Sequence, residues 1–499
     1  MPLYFFYAQD VRHARPILRR KVVAMKKFCT IFLIQLCLVS GAHAESAVTP
    51  EMARTAERLI EQAQKGNIAF ELVQSLTTEI GPRLAGTAAE ARARNWALEK
   101  LERLGFENVR IETFEVPVWL RGLERARIVS PFAQPLRVTA LGGSTSTDEQ
   151  GVEGEVVRFP SLDSLIEADP VRVEGKIVFV DEVMARKRDG SGYGAAVQKR
   201  LRTAYVAQQL GAIAALIRSV GTSSHRFPHT GQMRPVSDNA GKRGVPMAAL
   251  SAPDADQLSR VLSYGGPVVV NLLVTPEVRA PAQSGNVIAE IRGRDLPEEI
   301  VLAGAHLDSW DLGTGAVDDG AGVGIVIAAS RLLLEHLPEA PRRTIRLVLF
   351  GSEEVGYVGA RDYTERYSAE LPKHIVAAES DFGAGDIWRF DTRFSVEQLP
   401  YATEIAAILL PLDIVRGNNT AYGGPDLRYM REAGVPVITL LQDGTDYFDL
   451  HHTPNDTLDK IGPNDLHQNV AAWAAFLYLA AETEVYFRDA EAASVTGRP

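Results

Sequence analysis

The chain has 499 residues, 46% of them hydrophobic and 23% charged, enough to bury a large core and to make two or more domains. Its formal net charge is −10, and residues 1–44 carry seven Lys or Arg against one Asp, so the remainder stands at about −16. That acidic balance, with no clustered basic residues, argues against nucleic acid as a partner.

Residues 25–44 read "MKKFCTIFLIQLCLVSGAHA": two lysines, an apolar run over 28–39, then the small-x-small pattern Ala42-His43-Ala44. This is the layout of a secretory signal, and the run is too short for a comfortable membrane span. Residues 1–44 are expected to be an upstream extension plus signal peptide, with Met25 the more natural start, and the protein to be exported to a periplasmic or extracellular space. Both cysteines, Cys29 and Cys37, lie in this segment. The rest of the chain therefore has no disulfides or thiolate ligands, and any metal must be held by His, Asp and Glu. No later apolar stretch has membrane length.

Next, "MARTAERLIEQAQ" and "AEARARNWALEKLERLG" place Ala and Leu at three-to-four-residue spacing, predicting two helices, the second stopped by Gly105. "VRIETFEVPV" predicts a strand. From about residue 122 to 275, short strands ("GEVVRF", "KIVFVD", "AALIRS", "VPMAAL", "PVVVNLLV") surround the helical "AVQKRLRTAYVAQQLG", predicting a small α/β unit. The Pro-containing "PEVRAPAQSGN" predicts a linker back to the main domain.

From residue 287 strands and helices alternate. "EIVLAGAHLD" precedes "GAGVGIVIAASRLLLEHL", "TIRLVLFGSEE" precedes "GYVGARDYTERY", "IVAAESDFGAG" follows, and "VPVITLLQDG" leads to "HHTPNDT" and a last long helix. This predicts an α/β fold with a doubly wound, mostly parallel sheet covered on both faces. The expected domains are 45–121 and 281–490 for the two parts of the main domain, 122–280 for an inserted small α/β domain, and 491–499 for a tail.

In such sheets ligands sit beyond the carboxyl ends of the strands. His306 and Asp308, Glu353 and Glu354, Asp381, and His451 and His452 each follow an apolar strand. Singly, each motif has an ordinary explanation: a loop histidine with a capping aspartate, a solvated Glu pair, a helix N-cap in "DDGAG", or a loop in which Thr453 or Asp456 caps the next helix. Jointly, four segments bring carboxylates and imidazoles to one sheet edge, which is costly without a positive charge among them. Histidines and carboxylates without thiolates suit hard or borderline divalent ions, zinc foremost for hydrolysis. Two such ions would share a bridging carboxylate and a bridging water whose pKa they lower. Glu353 and Glu354 leave a strand end in different directions, so one can ligate while its neighbour faces that water.

"HLDSWDLGTGAVDDGAG", "FGSEEVGYVGA", "ESDFGAG" and "YFDLHHTPNDT" resemble the motifs of the co-catalytic zinc aminopeptidases and glutamate carboxypeptidases. "LIRSV", "PHTG" and "GVPMAALS" in the insert resemble that family's protease-associated domain. The resemblance implies a zinc exopeptidase fold and two zinc ions per chain. Asp318 would bridge the ions, with His306 and Asp381 holding one and Glu354 and His452 the other. Glu353 would be the general base, and Asp308 would orient His306 through its second ring nitrogen. His451 takes the position where relatives place an oxyanion-stabilising tyrosine, and Asp319 would act behind the ligands. The implied activity is hydrolysis of dipeptides or short peptides, with aminopeptidase action on longer peptides as the alternative. A homodimer stays open, as does the use of the same fold by a receptor-like binding protein or a one-zinc glutaminyl cyclase. The presence of all five ligand positions and the base disfavours the receptor. The insert and "HLDSWD" disfavour the cyclase.

Other residues carry less. His225 and His229 in the insert can line a cleft, but surface loops explain them more simply. Trp310 and Tyr447 can shape a substrate pocket or pack in the core. Asp426 in "GGPDLRYM" reads as a helix cap.

Overall fold

The computed structural model describes residues 46–233 and 244–488. The signal-like segment and the tail from 491 lie outside the described residues.

Eight strands form the first sheet, in the spatial order Glu107–Leu120, Glu277–Ile291, Arg343–Phe350, Leu296–His306, His374–Glu379, Val437–Gln442, Ile387–Arg393, Val415–Arg416. The four central strands, Arg343–Phe350 to Val437–Gln442, are parallel, whereas Glu277–Ile291 and Ile387–Arg393 pair antiparallel with them; at the two edges Glu107–Leu120 pairs antiparallel and Val415–Arg416 parallel. The sheet is therefore mixed rather than mostly parallel, and the parallel part is what strand-helix alternation signals. Its central strands are apolar on both faces. Val301, Ala303 and Ala305 join the core beneath the helices Ala321–His336 and His467–Glu482, while Ile300 and Leu302 face the cluster around Tyr363 and Met430. Two-sided burial turns period-two alternation into a continuous apolar run.

The predicted linker is instead most of the strand Glu277–Ile291, paired antiparallel with Glu107–Leu120. Its proline misled the reading, yet Pro281 and Pro117 both fall at the register shift between Val116 and Val118. At such an irregularity a residue without an N–H costs the ladder nothing. Between the two helices named from the sequence, the helical pattern of this stretch yields a third, Ala69–Glu79, which packs Leu72, Val73 and Leu76 into the core.

The second sheet lies within 124–274 and is also mixed. Its order is Gln134–Leu136, Glu124–Ser130, Val269–Val274, Val152–Phe159, Ile177–Val180, Ala214–Arg218, Met247–Leu250, Val138–Ala140. The helix Gly192–Gln209 belongs to this region. Both sheets are part of one compact unit that begins at Ser46. No helix among the described residues is long and apolar enough to cross a membrane.

Candidate active site

The central strands end along one edge, in register: His306 lies beside Phe350, and Gly304 beside Glu379. The residues that follow each strand therefore meet. His306 Nε2 is 3.0 Å from Asp318 Oδ1 and 3.6 Å from Asp381 Oδ1. His452 Nε2 is 2.9 Å from Glu354 Oε2 and 3.4 Å from Asp318 Oδ2. Two donor groups result, His306–Asp318–Asp381 and Asp318–His451–His452, each with ligand atoms within 4.8 Å of one another, and Asp318 belongs to both. Glu354 joins the second through its contact with His452.

These groups are buried, and their electrostatics are unbalanced. Burial, reinforced by neighbouring carboxylates such as Asp318, pushes the Glu353 and Glu354 carboxyls well above their ordinary range. Burial pulls on the His306 ring, but Asp381 and hydrogen bonds to Asp308 and Asp318 hold its pKa well above the usual value. Burial and the stacked His451 ring keep His452 well below it. Asp318 Oδ2 and Glu354 Oε1 are buried without a hydrogen-bond partner. Orphaned carboxylate oxygens facing imidazoles fit divalent cations, and an all-N/O donor set suits zinc.

Asp308 does not orient His306 chiefly by its carboxylate. Its main-chain carbonyl lies 3.0 Å from His306 Nδ1, whereas Oδ1 is 3.8 Å away and instead accepts the Glu353 N–H at 3.1 Å. Asp319 faces away from the donor groups: it accepts the His306 N–H and the Gly322 N–H, both at 3.1 Å. Gly322 is required there, since a Cβ would lie 2.0 Å from the Ser380 carbonyl oxygen. His451 stacks on His452 with centroids 3.5 Å apart, and its Nε2 is 3.8 Å from Asp318 Oδ2.

The ordinary readings of several side residues change. Asp456 caps no helix: its carboxylate accepts the N–H groups of Val317 (2.6 Å) and Asp318 (3.3 Å). Nor does Asp426 cap Arg428–Glu432. It is fully buried, and its N–H donates to Glu379 Oε2 at 2.9 Å. His225 is exposed, as a loop residue should be, but His229 is buried and reaches the His451 carbonyl at 2.7 Å. Trp310 is buried with its ring 5.7 Å from that of His452, and Tyr447 is buried with its ring 5.3 Å from that of His451.

Sequence reasoning missed two arginines. Arg83, fully buried, donates to the carbonyls of Leu307 (2.6 Å), Thr314 (2.6 Å) and Gly315 (2.9 Å), spanning the loop between His306 and Asp318. Arg200, on the helix Gly192–Gln209, donates to the Tyr193 hydroxyl at 2.6 Å and brings Nη1 to 3.4 Å from His452 Nδ1. Among the described residues it makes no ion pair, and its buried Nε has no partner. A signal existed: Arg200 sits on the buried stripe Ala196, Arg200, Thr203, Ala204, Ala207, where an unpaired charge has no packing reason to be.

The description "Peptidase family M28" matches residues 286–477, which hold every predicted ligand. Carboxypeptidase Q of Bos taurus is 34% identical over 434 residues, covering 87% of this chain and 89% of that protein. The chain belongs to peptidase family M28. It is a metallopeptidase. A peptidase M28 precursor from Shewanella amazonensis SB2B superimposes with a TM-score of 0.86 at 47% identity, covering 88% of this chain and 98% of that one. A zinc aminopeptidase from Bacillus subtilis shares the fold at 21% identity, with a TM-score of 0.60 over 84% of this chain and 98% of its own.

Proposed function

We propose that this chain is an exported di-zinc exopeptidase that hydrolyses dipeptides or short peptides. The observation that carries the reading is the membership of Asp318 in both donor groups, which suits a carboxylate bridging two ions. His306 and Asp381 would hold one ion, Glu354 and His452 the other. Bound there, zinc supplies Lewis acidity toward a scissile carbonyl and acidity to a water.

The chain's own groups supply the rest. Glu353, its N–H fixed by Asp308, takes the proton of the attacking water and passes it to the leaving amine. His451, held neutral by burial and by Arg200, donates to the developing oxyanion. Arg200 supports recognition of a chain end: a buried guanidinium at the second donor group, facing no carboxylate among the described residues, matches a free substrate carboxylate. The 122–280 segment, whose helix Gly192–Gln209 carries it, is read as a protease-associated domain.

A panel of dipeptides and tripeptides with free and blocked termini, with and without chelator, tests this. Chelator-sensitive cleavage confined to substrates with both ends free is expected. Equal cleavage of long peptides with a free amine would convert the assignment to an aminopeptidase, and hydrolysis untouched by chelator would remove it.

A further inference from the structure

We propose that His229 is a positioning residue of the second donor group, so that the 122–280 segment forms part of the metal centre rather than a cover over it. The proposal rests on the two-ion reading above. His452 has φ of +62°, a left-handed conformation that L side chains adopt seldom and that persists only where neighbours enforce it. The enforcement comes from across the structure. The carbonyl before this residue, that of His451, accepts from His229 Nδ1 at 2.7 Å, and the His452 carbonyl accepts the Thr230 N–H at 3.0 Å.

Thr230 returns the contact, its carbonyl lying 3.3 Å from His452 Nδ1, the ring nitrogen turned away from Asp318 and Glu354. A ligating histidine is held by an acceptor at its second nitrogen. For His306 that acceptor is in its own loop, at Asp308. For His452 it is two hundred and twenty-two residues away, on the segment that His229 anchors.

The His229 ring is placed for this one bond. Its Nε2 is 3.3 Å from Ser223 Oγ, so the hydroxyl donates there and the hydrogen sits on Nδ1, toward the His451 carbonyl. The ring lies so close to Gly221 that a Cβ would come within 2.2 Å of it.

The test uses the full chain and reads metal stoichiometry in zinc buffered by a chromophoric chelator. Asparagine Nδ2 sits where His229 Nδ1 does, whereas glutamine places its amide one atom too far. Wild type should bind two ions. His229→Gln should weaken one of them by roughly ten- to a hundredfold and leave the other unchanged, and His229→Asn should restore most of the loss. Should His229→Gln not fold, Ser223→Ala takes its place, since it frees Nε2 and lets the ring turn, with the same selective loss expected. Two ions at wild-type affinity in these variants, or equal impairment by Asn and Gln, overturns the proposal while leaving the di-zinc reading intact. Fewer than two ions in wild type would defeat that reading and this inference with it.

Discussion

Arg83 donates from its guanidinium to the Gly315 carbonyl at 2.9 Å, and with its bonds to Leu307 and Thr314 it pins the loop that separates His306 from Asp318. Arg83→Met would leave three buried carbonyls short of donors and remove the cation beneath the acidic cluster. The expected loss is about 3 kcal/mol or more of unfolding free energy. An unshifted urea midpoint would show that the loop holds itself.

Glu353 belongs to neither donor group. Glu353→Gln should keep zinc binding, read as an unchanged zinc-induced rise in Tm, while kcat falls by roughly 10²- to 10⁴-fold. Loss of the Tm rise along with turnover would make Glu353 a metal-holding residue instead.

Arg200→Met should lower the ratio of kcat/KM for a free dipeptide to that for its C-terminal amide by roughly 10- to 100-fold, with Arg200→Lys intermediate. Parallel steady-state measurements on the two substrates give the ratio. A constant ratio would assign Arg200 to packing around Tyr193.

Much of the candidate site could be read in the sequence because its proposed ligands sit at ends of apolar strands, and a run such as "EIVLAGAHLD" announces both a strand and a candidate ligand. What escaped has a common cause. Arg83, Arg200, His229 and Asp456 act through main-chain groups or through an absence of partners, and neither leaves a local pattern. Asp456 is three residues after Thr453 in a turn rich in capping residues, so a cap is the natural reading; the donors to its carboxylate prove to be N–H groups 138 and 139 positions away. The strand Glu277–Ile291 was hidden by a proline that is harmless only because Pro117 faces it across a break in the ladder.

Burial pushes the Glu90 carboxyl from 4.5 up to about 7, against the pull of Arg94. The native state therefore prefers the protonated form. Its contribution to stability is complete below about pH 4.5 and is lost as pH rises through 7, because the unfolded chain ionises first. In chelator-treated protein, Glu90→Gln should flatten the decline of unfolding free energy over that window, measured by urea titrations at pH 5, 6 and 7. Superimposable pH slopes would mean that Arg94 keeps Glu90 charged.

The two donor groups gather residues from positions 306 to 452. A growing polypeptide still lacking its final fifty or so residues thus holds neither His451 nor His452 and cannot close the second group. The second donor group is therefore completed only after the whole first sheet has been made, since Val437–Gln442 is the last of its strands in the sequence.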